Sequence, residues 1–437
     1  MRFILSSLFL ISAFLAKGQE AEVWSLSDCL SYARENSITV KQAMLGQNSA
    51  VVGLEQAEYQ RYPNLTGAAS YSFTNGQSID PITSDYVNQQ VNAANFSLNS
   101  QVTLYSGGQL KNQVTQNELL VAQNKLYVAE AQNDISLSII EAYLQALYVK
   151  ENIDVAEINI ATSTRQLEQA KTRHRFGELT AQGVAEVESQ LATNQYQLVT
   201  ATNAFNQQVL SLKQLLELTP ETIFKIDTTT NLLTNQLQIP ELVRVYQTAR
   251  QTMPQVEASE LDMQISQLDL EIARGGYKPS LSANARLLTG QTSTRDIDFF
   301  DQLNGNFNQQ VGLSLSIPIF DRKQTSSEVQ RALIGIEQAR LQQQAVDKEL
   351  YRNIETTWQN ATAALSEANA AESVRNASQT AFLMTQQQYD LGEANATDLL
   401  VSQNNYITAE RQYLQAKYAG ILYYALLQFY LGAEINI

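Results

Sequence analysis

Residues 96–104 read FSLNSQVTL, and residues 311–319 read VGLSLSIPI. In each segment every second residue lies on one largely apolar face, and the residues between them are polar, glycine or proline. This period of two predicts a β-strand. A strand whose second face carries no large apolar side chain fits two settings. One is the surface of a soluble sheet, and the other is a barrel wall with lipid outside and water inside, which needs about 9–11 residues per strand.

The two segments belong to a tandem repeat. The sequence YPNL at 62–65 recurs 216 positions later as KPSL at 278–281, and FGE at 176–178 recurs 215 positions later as LGE at 391–393. A constant offset between several landmarks predicts duplication of one unit with few insertions. We therefore expect one repeat over 22–218 and another over 240–432, joined by a polar linker at 219–239.

Each repeat carries two strands with an aromatic residue at every junction between strand and helix. We expect strands at about 64–74 and 95–105 in the first repeat and at about 279–289 and 310–320 in the second. The junction residues are Tyr62, Tyr105, Tyr277 and Phe320. Such a set fits the aromatic girdle of a membrane interface, or four ordinary aromatic residues of a core.

Long helices make up most of the remaining chain. Residues 108–175 and 322–390 are rich in helix-forming residues, and at 1.5 Å per residue each stretch spans roughly 100 Å. No globular core accommodates such a length, so coiled-coil packing is predicted. Shorter helices are expected at 27–60 and 241–274. Apolar residues step by about 3.5 positions along the long stretches at Ile135, Ile139, Ala142, Ala146, Val149, Ile153, Ala156 and Ile160, and at Leu350, Ile354, Trp358, Ala361, Leu365 and Ala368.

The number of strands requires an assembly if they lie in a membrane. Four strands cannot close a barrel, and an open sheet edge is not viable in lipid. Bacterial barrels have at least about 8 strands. A trimer supplies twelve strands and a dimer eight, and the polar strand face would then line a channel continuous with a helical tube.

Composition excludes several classes of protein. The 437 residues hold one Cys and one His and carry a formal net charge of −15. One Cys allows neither an internal disulfide framework nor a cysteine zinc cluster. The acidic balance argues against nucleic-acid binding. Residues 1–18 read as a secretory signal peptide. We find no nucleophile–base pair and no metal or cofactor motif, so no enzymatic activity is predicted.

Taken in order, these features resemble the TolC family of outer-membrane efflux and secretion channels over residues 22–432. The resemblance depends on the duplicated pattern, the strands led by Pro63 and Pro279, and the turns at Gly177 and Gly392. It implies a mainly helical fold with transmembrane β-structure: a homotrimer with a 12-stranded outer-membrane barrel and a long periplasmic α-barrel, the linker lying in the equatorial region. It also implies a passive exit duct for efflux or type I secretion. An inner-membrane pump would drive it through a periplasmic adaptor.

The resemblance also implies functional turns. The family's second-repeat turn has a Tyr-x-x-Gly pattern with acidic residues six and nine positions after the Gly. Tyr389, Gly392 and Asp398 match this pattern, whereas Val401 occupies the second acidic position. The family's arginine after the Gly falls on Ala394, and the acidic position of the first repeat falls on Gly183. The Tyr and Arg contacts that hold some family members closed are therefore incomplete in this sequence. The implied adaptor-docking turns are Phe176, Gly177, Glu178 and Leu179, together with Leu391, Gly392 and Glu393.

The candidate residues have simpler interpretations as well. Asp398, which with Tyr389 is the candidate pore aperture, also suits the start of a helix, where a carboxylate caps free N–H groups. The cations 173–175 suit the C-terminus of a helix or contact with an adaptor. For the whole chain, the alternative is a soluble periplasmic coiled-coil scaffold or adaptor, which explains the helices but not two matched apolar hairpins.

Overall fold

A computed structural model describes residues 23–79, 82–228 and 238–433. The predicted signal peptide at 1–18 and residues 229–237 of the linker lie outside the described residues. The first half of the chain contains β1 (Val23–Trp24), α1 (Leu26–Asn36), α2 (Ile38–Tyr59), β2 (Asn64–Ile79), β3 (Tyr86–Ser106), α3 (Gln109–Arg175) and α4 (Ala181–Leu215). The second half contains β4 (Lys225–Ile226), α5 (Leu242–Thr252), α6 (Pro254–Gly275), β5 (Ser280–Thr292), α7 (Phe299–Gly305), β6 (Asn308–Ser316), α8 (Gln324–Leu391) and α9 (Ala396–Tyr430).

The chain divides into two compact units, which we describe separately. The first unit comprises Met1–Ala43, Val128–Pro254 and Asp347–Ile437, so far as these are described. The second unit comprises Met44–Tyr127 and Gln255–Val346. Among the described residues, no helix is both long enough and apolar enough to span a bilayer.

An antiparallel four-stranded sheet in the order β2-β3-β5-β6 forms the second unit's β-structure. Its strands cover the predicted segments but differ in length. β3 begins at Tyr86 rather than near 95, because its polar first half pairs along β2 as far as Ile79. β6 ends at Ser316 rather than near 320, because Pro318 has no N–H to donate to a ladder. Val311, Leu313 and Leu315 of β6 are all exposed in the chain, at 85%, 72% and 62%.

The second hairpin carries a short helix that the sequence analysis did not predict. α7 lies between β5 and β6, and Gln302 holds it to the end of β5. The Gln302 Oε1 atom accepts from the Thr292 N–H at 3.0 Å, and its Nε2 atom donates to the Ile297 carbonyl at 2.9 Å. Gln302 is only 4% exposed. Asn306 Nδ2 also donates to the Gly290 carbonyl at 2.8 Å, so side-chain bonds to the backbone of β5 order a loop whose own sequence has no helical periodicity.

Each helix expected at 27–60 and 241–274 is broken once, which corrects the prediction of a single helix. The breaks are at Ser37 and Met253, where the backbone is extended (ψ 134° and 124°). Pro254 explains the second break, because the residue before a proline avoids the helical region and proline suits the first position of a new helix. Ser37 has no such neighbour, yet its break lies 216 positions earlier, so the interruption belongs to the repeated unit.

The core of the first unit lies along α3. Ile139, Ala146, Val149, Ile153 and Ala156 of the predicted seam are buried, as period-3.5 packing requires. The core includes the N-terminal α1 and the part of the linker that forms β4. β1 pairs in parallel with β4, and the Tyr143 hydroxyl of α3 donates to the Asp227 carbonyl at 2.9 Å.

Candidate functional site

The first predicted docking turn joins α3 to α4. Gly177 has a φ of +80°, a left-handed conformation that glycine adopts without steric cost. The Glu178 N–H donates to the Arg173 carbonyl at 2.9 Å, and the Thr180 hydroxyl caps α4 by accepting from the Gly183 N–H at 3.1 Å. The turn therefore satisfies its own helix ends. Phe176, 74% exposed, projects from it.

Gly183 is the position to which the resemblance assigned an acidic residue. A Cβ atom here would lie 2.9 Å from the Leu179 side chain, closer than carbon atoms normally approach. Leu179 is half-buried and packs into the apolar cluster between the helices. A side chain at position 183 would therefore require Leu179 to move.

The second turn joins α8 to α9 and has the same form. Gly392 has a φ of +82°, and the Glu393 N–H donates to the Gln388 carbonyl at 2.8 Å. The Asp398 N–H donates to the Asn395 side chain at 2.8 Å, and Asp398 Oδ2 accepts from the Asn395 N–H at 3.4 Å. This reciprocal capping box gives Asp398 a structural role at the start of α9. Asp398 is also exposed.

Tyr389 lies inside the first unit, with 1% of its surface exposed. Its hydroxyl is buried and has no hydrogen-bond partner among the described residues. Burial raises the pKa of this phenol, and the nearby positive charge of Arg173 opposes the rise. The side chain is therefore a neutral aromatic group that packs between the two repeats.

Arg173 links the two turns, a role that neither of its expected functions, a cation at a helix end or a contact with an adaptor, includes. Its Nη1 atom donates to the Tyr389 carbonyl at 2.7 Å, and its guanidinium carbon lies 5.0 Å from the centre of the Tyr389 ring. Its Nε atom also lies 3.6 Å from a carboxylate oxygen of Glu178. Residues 216 positions apart thus meet at one point. A tyrosine near a helix end in one repeat and an arginine near the matching end in the other were the available signal.

Apolar and polar contacts extend this connection between the repeats. Two more hydrogen bonds cross between the repeats close to the turns: Gln169 Nε2 donates to Asp390 Oδ1 at 2.8 Å, and the Thr397 hydroxyl donates to Glu186 Oε2 at 3.3 Å. The two turns therefore form one site. A shared cluster of buried side chains comprises Leu167, Ala170, Val187, Phe382, Tyr389, Ala396 and Leu399.

The surface of this site combines apolar and acidic groups. Phe176 and Leu391 occupy equivalent positions in the two repeats and are 74% and 68% exposed. Glu178 and Glu393 lie beside them and are also exposed. Among the described residues, no three His, Cys, Asp or Glu side chains group as a metal site would require.

The four junction aromatics are exposed and belong to the second unit. Tyr62, Tyr105, Tyr277 and Phe320 are 64%, 48%, 55% and 83% exposed. None of them is buried in the described part of the chain.

Comparison with known proteins agrees with this architecture. The sequence model of the family "Outer membrane efflux protein" matches residues 29–217 and 245–433, once for each repeat. The outer membrane efflux protein BepC of Brucella suis is 22% identical over 430 residues, 97% of this chain and 89% of BepC. The outer membrane protein TolC of Escherichia coli is 21% identical over 400 residues, 90% of this chain and 79% of TolC.

A solved structure shows the same fold. The outer membrane protein VceC of Vibrio cholerae superposes with a TM-score of 0.78 at 17% identity, over 94% of this chain and 97% of VceC. The double match of the family model confirms the tandem repeat and the resemblance on which the fold class depended. The chain therefore belongs to the outer membrane efflux protein family and is an exit duct of the outer membrane.

Proposed function

We propose that three copies of this chain assemble into one passive channel, with a twelve-stranded barrel in the outer membrane and a helical barrel in the periplasm. The observation that carries the proposal is the open sheet. Among the described residues, β2 pairs only with β3 and β6 only with β5. An unpaired edge is not viable in lipid, so the edges of neighbouring copies must pair with one another.

The exposed apolar residues of the sheet support this assembly. Val311, Leu313 and Leu315 form an uncovered apolar row on β6, and the residues between them are Gly312 and Ser314. In a closed barrel the row would face lipid and the small residues would face water. The exposed junction aromatics would then lie at the level of the lipid headgroups.

The helix turns are proposed as the docking surface for a periplasmic adaptor, which would connect the duct to an inner-membrane pump. Phe176 and Leu391 offer apolar anchors, and Glu178 and Glu393 offer flanking charges that would orient a partner. Energy for transport would come from the pump, and the duct would perform no chemical step of its own.

The pore aperture is proposed at the same turns, with Asp398 as the charged group. Three symmetry-related carboxylates would attract cations at a constriction. The capping role of Asp398 is compatible with this function, since the capping bonds leave the carboxylate exposed. Tyr389 would act from behind the aperture by packing between the two repeats, rather than by contacting the permeant.

Membrane fractionation and native electrophoresis test the assembly. We expect the protein in the outer membrane as a detergent-stable trimer that conducts ions in planar bilayers. Recovery as a soluble monomer without detergent would instead support a periplasmic scaffold.

A pair of substitutions tests docking separately. Phe176→Asp with Leu391→Asp should abolish efflux while the trimer and its conductance persist, because only the adaptor contact is removed. Phe300→Asp, at a phenylalanine of α7 that is equally exposed (74%), serves as the matched control and should leave efflux intact. Normal efflux in the Phe176/Leu391 variant would refute the docking assignment.

A further inference from the structure

A cavity of about 520 Å³ opens where the end of α2 meets the junction of β3 and α3. Its volume lies within the range of roughly 300–1,000 Å³ that small-molecule sites occupy. Its lining includes the cations Arg61 and Lys111 and the apolar groups of Val102, Leu104, Tyr105 and Leu110, with the small residues Thr103, Ser106 and Gly108 between them. The cavity thus has a cationic part and an apolar part, and no acidic residue lines it.

The two cations lack an intramolecular partner. Both are exposed, and neither forms an ion pair with any residue that the structure describes. The chain as a whole has a formal net charge of −15, whereas the two unpaired cations make this cavity locally positive. An arginine fork and a lysine ammonium together suit a phosphate group.

The position of the cavity matches the polar boundary of a bilayer. Tyr105, one of the exposed junction aromatics, lies on its wall. Val102 belongs to the apolar face of β3, which is the face assigned to lipid, and Leu104 is the exposed residue of the bulge between Thr103 and Tyr105. A molecule with a phosphate above an acyl chain would place the phosphate on Arg61 and Lys111 and the chain along the two apolar residues.

The second repeat places cations at the corresponding bend. Gly107 and Gly108 make this bend with φ of +67° and +92° in the first repeat. The residues 215 positions later are Arg322 and Lys323, with φ of +55° and +67°. Left-handed backbone is unfavourable for residues that carry a Cβ. In the second repeat, two exposed cations thus lie at a strained bend close to Phe320. In the first repeat, Arg61 and Lys111 lie close to the corresponding aromatic residue, Tyr105.

From these observations we propose that the cavity at Arg61 and Lys111 binds the phosphate of an anionic phospholipid of the bilayer, with its acyl chain along Val102 and Leu104. The inference depends on the outer-membrane position of the sheet. A bilayer lipid is chosen over free phosphate because half of the cavity wall is apolar and continuous with the apolar strand face.

Lipid titration of the purified detergent-solubilised channel, followed by native mass spectrometry, tests the site. The probes are phosphatidylglycerol and phosphatidylcholine with identical acyl chains, and millimolar inorganic phosphate as a competitor. We expect selective binding of phosphatidylglycerol. Arg61→Gln with Lys111→Gln should weaken this binding about 30-fold, because each cation near an anionic surface contributes a roughly five-fold preference.

A matched control removes the same charge from the same unit. Lys125→Gln with Arg331→Gln, both exposed and away from the cavity, should leave the affinity unchanged. Equal binding of the two lipids by the unmutated channel, or an equal loss in both double variants, would overturn the proposal. Complete displacement of the lipid by inorganic phosphate would do the same. Conductance is recorded on each preparation, so that a conducting trimer without lipid selectivity refutes this site alone.

Discussion

Replacing Arg173 by alanine should loosen the connection between the two helix turns. The guanidinium donates to the Tyr389 carbonyl at 2.7 Å and lies over its ring at 5.0 Å. A hydrogen bond from a charged donor contributes about 1.5–3 kcal/mol, and a partly exposed cation–π contact about 0.5–1 kcal/mol. The exposed ion pair with Glu178 adds little. The sum of about 2–4 kcal/mol corresponds to a roughly 30- to 900-fold increase in the population of separated turns.

Hydrogen–deuterium exchange of the peptide around Gly392 in the folded trimer measures this population, because exchange follows local opening. Single-channel conductance in planar bilayers gives the functional readout, and we expect it to rise. Arg175→Ala is the matched control, since Arg175 has only a 3.4 Å hydrogen bond to the Thr172 hydroxyl. Tyr389→Phe should have a smaller effect, because it keeps both the ring and the carbonyl that Arg173 contacts. Unchanged exchange in Arg173→Ala, or an equal increase in Tyr389→Phe, would refute the reasoning.

Three further predictions follow from the local structure. Asp398→Ala should reduce the blockade of single channels by multivalent cations. Asn395→Ala should only destabilise α9, by about 1 kcal/mol in urea unfolding. Unchanged blockade in Asp398→Ala would contradict the assignment of Asp398 to the pore aperture. Burial raises the pKa of the Cys29 thiol to about 12, so the stability that its neutral form contributes is present below pH 9 and is lost toward pH 12. Between about pH 8 and pH 10, the free energy of unfolding of the unmutated protein should fall by about 1 kcal/mol more than that of Cys29→Ala. An equal fall in the two proteins would contradict this prediction. Gly107→Ala should prevent trimer formation, because its Cβ would collide with a backbone carbonyl. Gly108→Ala shares the strain of a positive φ but has open space around its Cβ, so it should still assemble, and native electrophoresis distinguishes the two.

Periodicity made most of the fold predictable. β3 and β6 alternate over 96–102 and 311–315 because one face is apolar. The seam through Ile139 and Ile153 repeats because neighbouring helices pack along it. These are local patterns, and a constant offset between repeats reinforced each of them. Element ends were predicted less well, since β3 extends by pairing with β2 rather than through any pattern of its own.

The site was predictable in outline but not in its contacts. Gly177 and Gly392 marked the turns, because a left-handed residue after a helix favours glycine. The contact of Arg173 with Tyr389 depends on how two distant helices pack, and no local pattern encodes that. The role of Gln302 in ordering α7 could not be predicted either, because its partners are backbone atoms, which no pattern of side chains reveals.

The separate capping of the two turns has a mechanical consequence. Thr180 caps α4 and Asn395 caps α9, each within its own repeat. Separating the helix pairs would therefore leave neither α4 nor α9 without its cap, and the resistance to separation comes from side chains. Single substitutions can thus strengthen or weaken the contact between the two turns while the backbone of both repeats is preserved. Because each helix pair is capped within its own repeat, the resistance of the two pairs to separation can change through substitution without a change of fold.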